Sequence, residues 1–112
     1  MTPDTATLPV TQCDQCNAQE ILENIENGQE PITDHIVITT QEGCKHLLAK
    51  CEKVDMICDS IQLYAKTAND TVDIGYYSWM PGATLSCTQD GKWESGIVND
   101  IESVYCDFVG CK

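Results

Sequence analysis

The sequence predicts a mainly β protein, a small disulfide-stapled antiparallel β-sandwich or Greek-key barrel with one short helix near residues 18–27. Three observations predict it. Eight cysteines fall within 112 residues; short β-branched or aromatic runs are separated by Gly, Pro, Asn and Asp; and the best helix signal, cap and apolar face together, is confined to one ten-residue stretch.

A chain of this length suits one domain, because two would leave each half too short for a core. Residues 1–12, with two prolines and four threonines, read as a flexible lead-in, and residues 13–112 as a single disulfide-bonded domain. In the ten residues before Gly28, Asn17 is a cap, Glu20 completes a capping box, and Ala18, Ile21, Leu22 and Ile25 share a face, so Gly28 is expected to end the helix. His35–Thr40 is a β-branched strand closed by the turn residues Gln41, Glu42 and Gly43. Cys44–Cys51 is a second strand. Val54–Thr67 fits either period, helical through Val54, Ile57, Cys58, Ile61 and Ala65 or extended through Ile57, Asp59, Ile61, Leu63 and Ala65.

Asn69-Asp70 is the next turn, Tyr76–Met80 an aromatic strand, and Pro81-Gly82 a turn before a strand over Ala83–Thr88. Asp90-Gly91 is a hairpin dipeptide whose two residues both accept positive φ; it returns the chain into Trp93, which is expected to be buried beside Cys87. Ile101–Phe108 alternates well enough to close the sheet, with Val104 and Cys106 on one face and Tyr105 on the other.

The cysteines Cys13, Cys16, Cys44, Cys51, Cys58, Cys87, Cys106 and Cys111 are an even set, which points to four bridges and an oxidising compartment. Each bridge is worth on the order of 2–4 kcal/mol, and about 105 pairings are possible. Cys13-Asp14-Gln15-Cys16 has the spacing of redox and zinc motifs, yet a zinc site wants a second such pair or a paired histidine, and His35 and His46 stand apart. Catalysis by a thiol or hydroxyl would need one of those histidines as base, and no nucleophile elbow is present. The carboxylate pairs Asp55/Asp59, Asp70/Asp73 and Asp100/Glu102 lack the spacing of a calcium loop. No catalytic residue, metal or cofactor is therefore expected.

Six lysines, no arginine and eighteen acidic residues give a formal charge of −12, which repels phosphate backbones and anionic lipid, so nucleic acid is not an expected partner. No run approaches the roughly 18 apolar residues of a membrane span. Met1-Thr2-Pro3-Asp4 reads as the start of a secreted, extracellular chain whose signal peptide has been removed. Asn69-Asp70-Thr71 is a glycosylation sequon in a turn, which agrees with secretion. Tyr76, Tyr77 and Trp79 place large side chains on both faces of one segment and are the candidate contact surface.

Cys13-x-x-Cys16, Gly43-Cys44, Cys51, the block Cys87-Thr88-Gln89-Asp90-Gly91-Lys92-Trp93, and Ile101 to Cys106 together resemble the six-cysteine extracellular domain found in many nematode proteins. The resemblance spans about residues 13–106 and implies an extracellular, β-rich domain of unknown function, which favours the strand reading of Val54–Thr67. Cys58 and Cys111 fall outside the family's set, and a self-contained family framework would leave them to bridge each other. The sushi module is a second resemblance, through its late cysteine, Gly-x-Trp and final cysteine, but it is usually half this length with four cysteines. The expected function is non-enzymatic binding of an extracellular protein or glycan. The alternative is a secreted inhibitor or effector, for example of a protease, presenting an inter-cysteine loop such as residues 69–75.

Overall fold

Apolar residues at every second position bury one face of a strand, and that period accounts for most of this fold. The computed structural model describes residues 12–76 and 80–112. Along the chain stand α1 (Ala18–Glu23), β1 (Asp34–Thr39), β2 (Lys45–Lys50), β3 (Ser60–Lys66), β4 (Thr71–Asp73), β5 (Gly82–Cys87), β6 (Trp93–Ser95), β7 (Val98–Ile101) and β8 (Ser103–Val109). They form two antiparallel sheets, one of five strands in the order β1-β2-β5-β6-β7 and one of three in the order β4-β3-β8.

The core lies between the sheets. Leu47, Ala49, Ala83, Leu85 and Trp93 from the larger sheet meet Ile61, Leu63, Ala65, Val104 and Cys106 from the smaller, and Ile21 and Leu22 of α1 close one side. Leu47, Leu63 and Leu85 are fully buried, each worth about 1.5–3 kcal/mol relative to exposure. All eight cysteines are paired, as Cys13–Cys44, Cys16–Cys87, Cys51–Cys106 and Cys58–Cys111. Cys51–Cys106 joins the two sheets through the core. Cys13 and Cys16 bond different partners, so that pair is not a redox disulfide.

Several local expectations change. The helix stops after Glu23, because β8 captures the chain there: Asn24 Nδ2 donates to Glu102 O at 3.0 Å, and Ser103 Oγ donates to Asn24 O at 2.6 Å. Asn17 does cap it, its side chain accepting from the Gln19 amide at 2.9 Å. Gly28 lies beyond, in a separate turn at φ 91°. Only Ser60–Lys66 of the 54–67 segment is strand, burying Ile61, Leu63 and Ala65, whereas Val54 and Ile57 lie in an exposed loop. Tyr76 forms only an isolated bridge to Gly82, Met80 lies in a bend, and Tyr77, Ser78 and Trp79 lie outside the described residues, so no strand is seen at the described ends of the expected aromatic run. Pro81-Gly82 is not a turn: Pro81 is buried and Gly82 begins β5, where its amide bonds Tyr76 O.

The hairpin at Asp90-Gly91 forms, but only Gly91 takes positive φ, at 76°. Thr88 organises it, its Oγ1 accepting from the amides of Asp90 and Lys92 while its own amide bonds Lys92 O. The arrangement is a three-residue loop with one left-handed residue. Trp93 is buried and pairs with Cys87. The final segment does not close this sheet. Ile101 ends β7, the chain crosses at Glu102, and β8 pairs with β3 in the other sheet, with Val104 and Cys106 buried.

Candidate interaction surface

Strand β1 forms from a β-branched run, but it lies outside the core. Ile36, Val37 and Ile38 are 59%, 42% and 46% exposed, and every residue of the strand is exposed on both faces. One backbone edge is bonded to β2, in register from Asp34 opposite Lys50 to Thr39 opposite Lys45. The other edge has no strand beside it among the described residues.

The alternation of an antiparallel ladder tells which residues serve which side. Thr40 N–H donates to Cys44 O at 2.9 Å, in the same register that sets Ile38 opposite His46 and Ile36 opposite Leu48. Even-numbered residues therefore turn their N–H and C=O towards β2, and His35, Val37 and Thr39 turn theirs to the open side.

Beside this edge the outer face of the sheet carries a groove of about 720 Å³, lined by Ile36, Leu48, Lys50, Tyr76, Met80 and Thr84 among others. Leu48 is 40% exposed and stands opposite both Ile36 and Thr84, so an apolar row runs across three strands. Lys50 closes one end, 3.9 Å from Asp34 and 3.4 Å from Glu52. In residues 34–50 Lys45 and Lys50 balance Asp34 and Glu42, so this hairpin is formally neutral in a chain of −12.

The residues singled out from sequence scatter over the molecule. Tyr76 is 73% exposed at the rim of the groove. Asn69 is exposed in the turn between β3 and β4, where the Thr67 amide donates to Asp70 O at 2.8 Å. Residues 69–75 are not a free loop, since Thr71–Asp73 pairs with β3. His35 projects from β1. His46 Nδ1 lies 3.0 Å from Ser86 Oγ, a hydrogen bond across β2 and β5.

A second segment with exposed apolar side chains was not singled out from sequence. Residues 52–57 run between Cys51 and Cys58, each anchored by its own bridge, and expose Val54 by 81% and Ile57 by 83%. The Ile57 and Lys112 backbones exchange two hydrogen bonds at its base, and Lys53 Nζ sits 4.7 Å from the centre of the Phe108 ring.

The perturbed ionisable groups lie elsewhere. Glu26 is held below the usual carboxylate range by its 2.6 Å bond to Lys66, which is raised by the same contact. Desolvation, followed by the neighbouring Tyr64, pushes the Tyr105 phenol up. No helix among the described residues is long and apolar enough to cross a membrane.

Residues 42–93, just under half of the chain, match the model of a domain family of unknown function, DUF281. The matched stretch begins in the β1–β2 turn and ends at Trp93, so it contains the groove strands β2 and β5 and leaves β1 outside. No curated protein and no solved structure matches the chain.

Proposed function

We propose that this chain is a non-enzymatic extracellular interaction module that receives an extended segment of a protein partner along β1. The observation that carries it is the edge of β1, which no strand joins among the described residues: Ile36, Val37 and Ile38 are exposed on both faces, with the backbone groups of His35, Val37 and Thr39 directed outwards. Added strands gain main-chain hydrogen bonds from such an edge and take specificity from alternate side-chain pockets. The groove at Ile36, Leu48 and Tyr76 offers one such pocket. Four bridges agree with an oxidising, extracellular setting, and the resemblance to the nematode extracellular domain supports the same reading.

The test is selection from a displayed random-peptide library, repeated on Val37→Pro. That variant removes an outward N–H without touching the β2 ladder, a position where an edge strand tolerates proline. Enriched peptides with alternating apolar residues, bound by the wild type and not by Val37→Pro, are expected. No enrichment, or binding that survives the proline, refutes the reading, and enrichment of glycans on an array in its place redirects it to a carbohydrate ligand.

One observation favours a second reading, a secreted inhibitor. Residues 52–57 form an inter-cysteine loop that is anchored at both ends and exposes Val54, Met56 and Ile57, and the anchoring lowers the entropy lost on docking. Inhibition of a protease in a broad panel, relieved by Val54→Asp or Met56→Asp, would support it; a panel without inhibition removes it.

A further inference from the structure

We infer that β1 pairs with β1 of a second copy of this chain, antiparallel across a two-fold axis at Val37, so that two five-stranded sheets become one. This rests on the open-edge reading above and names the partner.

A two-fold axis normal to a sheet keeps each face on its own side, so only residues of the same face can stand opposite one another. Centred on Val37, the outward-turned residues meet as hydrogen-bonded pairs: Val37 faces its own copy, and His35 faces Thr39 of the second copy. On the outer face Ile36 stands opposite Ile38 of the second copy, and each is flanked by its β2 neighbour, Leu48 or His46. Cross-strand β-branched pairs of this kind stabilise a sheet. Asp34 falls opposite Thr40 of the second copy. The neighbouring register, centred on Ile36, sets Asp34 against Ile38 instead and calls on Thr33, whose amide already bonds Lys50 O.

Charge selects the same surface. Two copies of a −12 chain repel, but the hairpin of residues 34–50 is formally neutral, and no like charges stand opposite each other in this register. Association is therefore weak at low salt and strengthens as salt screens the remainder of the two molecules. One six-residue strand per copy covers less than a standard interface, which also places the complex among weak ones.

The test is sedimentation equilibrium of the whole chain from roughly 10 μM to 1 mM, the range that weak contacts of this size require. Val37→Lys and Val37→Glu are measured alone and mixed in equal amounts. The wild type is expected to approach twice the monomer mass at the top of the range. Each variant alone should lose association by at least about tenfold, and the mixture should regain it, because only this register sets position 37 against itself. Amide exchange gives a second readout: protection should rise with concentration at His35, Val37 and Thr39. A monomeric wild type, association unchanged in Val37→Lys, a mixture that stays monomeric, or protection independent of concentration each overturns the inference. A monomeric wild type that still binds selected peptides, with binding lost in Val37→Pro, overturns self-pairing and leaves the open-edge reading standing.

Discussion

Replacing both Cys58 and Cys111 by serine should destabilise the protein by about 3 kcal/mol, and the structure explains why the figure is not larger. The two residues are 53 apart in sequence, and for a loop of that length the chain-entropy relation gives about 4 kcal/mol. The Cys51–Cys106 bridge, however, already holds the same stretch of chain together. The loop that Cys58–Cys111 newly closes consists of residues 51–58 and 106–111, roughly 14 residues, for which the same relation gives about 3 kcal/mol. Packing adds little, because Cys58 and Cys111 are only half-buried. Urea unfolding followed by tryptophan fluorescence measures the change, since Trp93 is buried. The urea dependence should steepen slightly as the unfolded chain expands. A loss below about 1 kcal/mol would mean that the short-loop argument overstates the constraint. Failure to fold would mean that the bridge belongs to the core. Removing Cys51–Cys106 instead should cost more, because both sulfurs are buried and the bridge joins the sheets.

Gly91→Ala should cost about 1–2 kcal/mol by the same assay, because its φ of 76° is strained for any residue with a Cβ. The added carbon would approach the Gln12 side-chain oxygen at 2.9 Å, a flexible group that can swing away. The Glu26–Lys66 pair should contribute stability only within a pH window. Glu26 is lowered from 4.5, so its share is present above that value and is lost as pH falls through the lower folded value. Lys66 is raised from 10.5, so its share is present below that value and is lost as pH rises through the higher folded one. Glu26→Gln should flatten both limbs in thermal melts, and limbs unchanged by it would refute the assignment. Expression through a eukaryotic secretory pathway should add a glycan mass at Asn69 that Thr71→Ala abolishes, read by mass spectrometry.

What the sequence made legible was local. The Asp90-Gly91 hairpin needs only residues 88–93, and the cap at Asn17 needs only the next two amides. Features set by distant contacts were not legible. Helix α1 is shorter than its apolar face suggests because Ser103 and Glu102 take its exit backbone and side chain. The crossing at Glu102, which sends Ile101 and Val104 to different sheets, leaves no mark in an alternating run. The candidate surface had a signal that alternation alone does not interpret. Ile36-Val37-Ile38 is apolar on both faces, a pattern that fits a strand buried between two layers as well as one exposed to both. In the same way, Val54 and Ile57 fit a helical stripe with Cys58 and Ile61 until the bridges at Cys51 and Cys58 hold them out as a loop.

The exposure of β1 follows from the unequal width of the two sheets. Three strands cannot cover five, and the strand left over is β1, at an edge of the larger sheet that no strand among the described residues joins. Proteins usually blunt such an edge with charge, proline or a bulge, because a bare apolar edge pairs with other chains. Here the lysines that would protect it, Lys45 and Lys50, stand one strand inwards on β2, and the Cys13–Cys44 bridge pins the hairpin turn. An edge pinned in this way would lose little freedom if it paired as proposed. The core does not need the three apolar side chains of β1, since Leu47 and Ala49 on β2 already face Leu85 and Ala83. Single polar substitutions at Ile36, Val37 or Ile38 should therefore stay near the roughly ±0.5 kcal/mol typical of surface changes. Folding does not depend on these side chains, so on the proposed reading a loss of association at this strand would be read without loss of the fold.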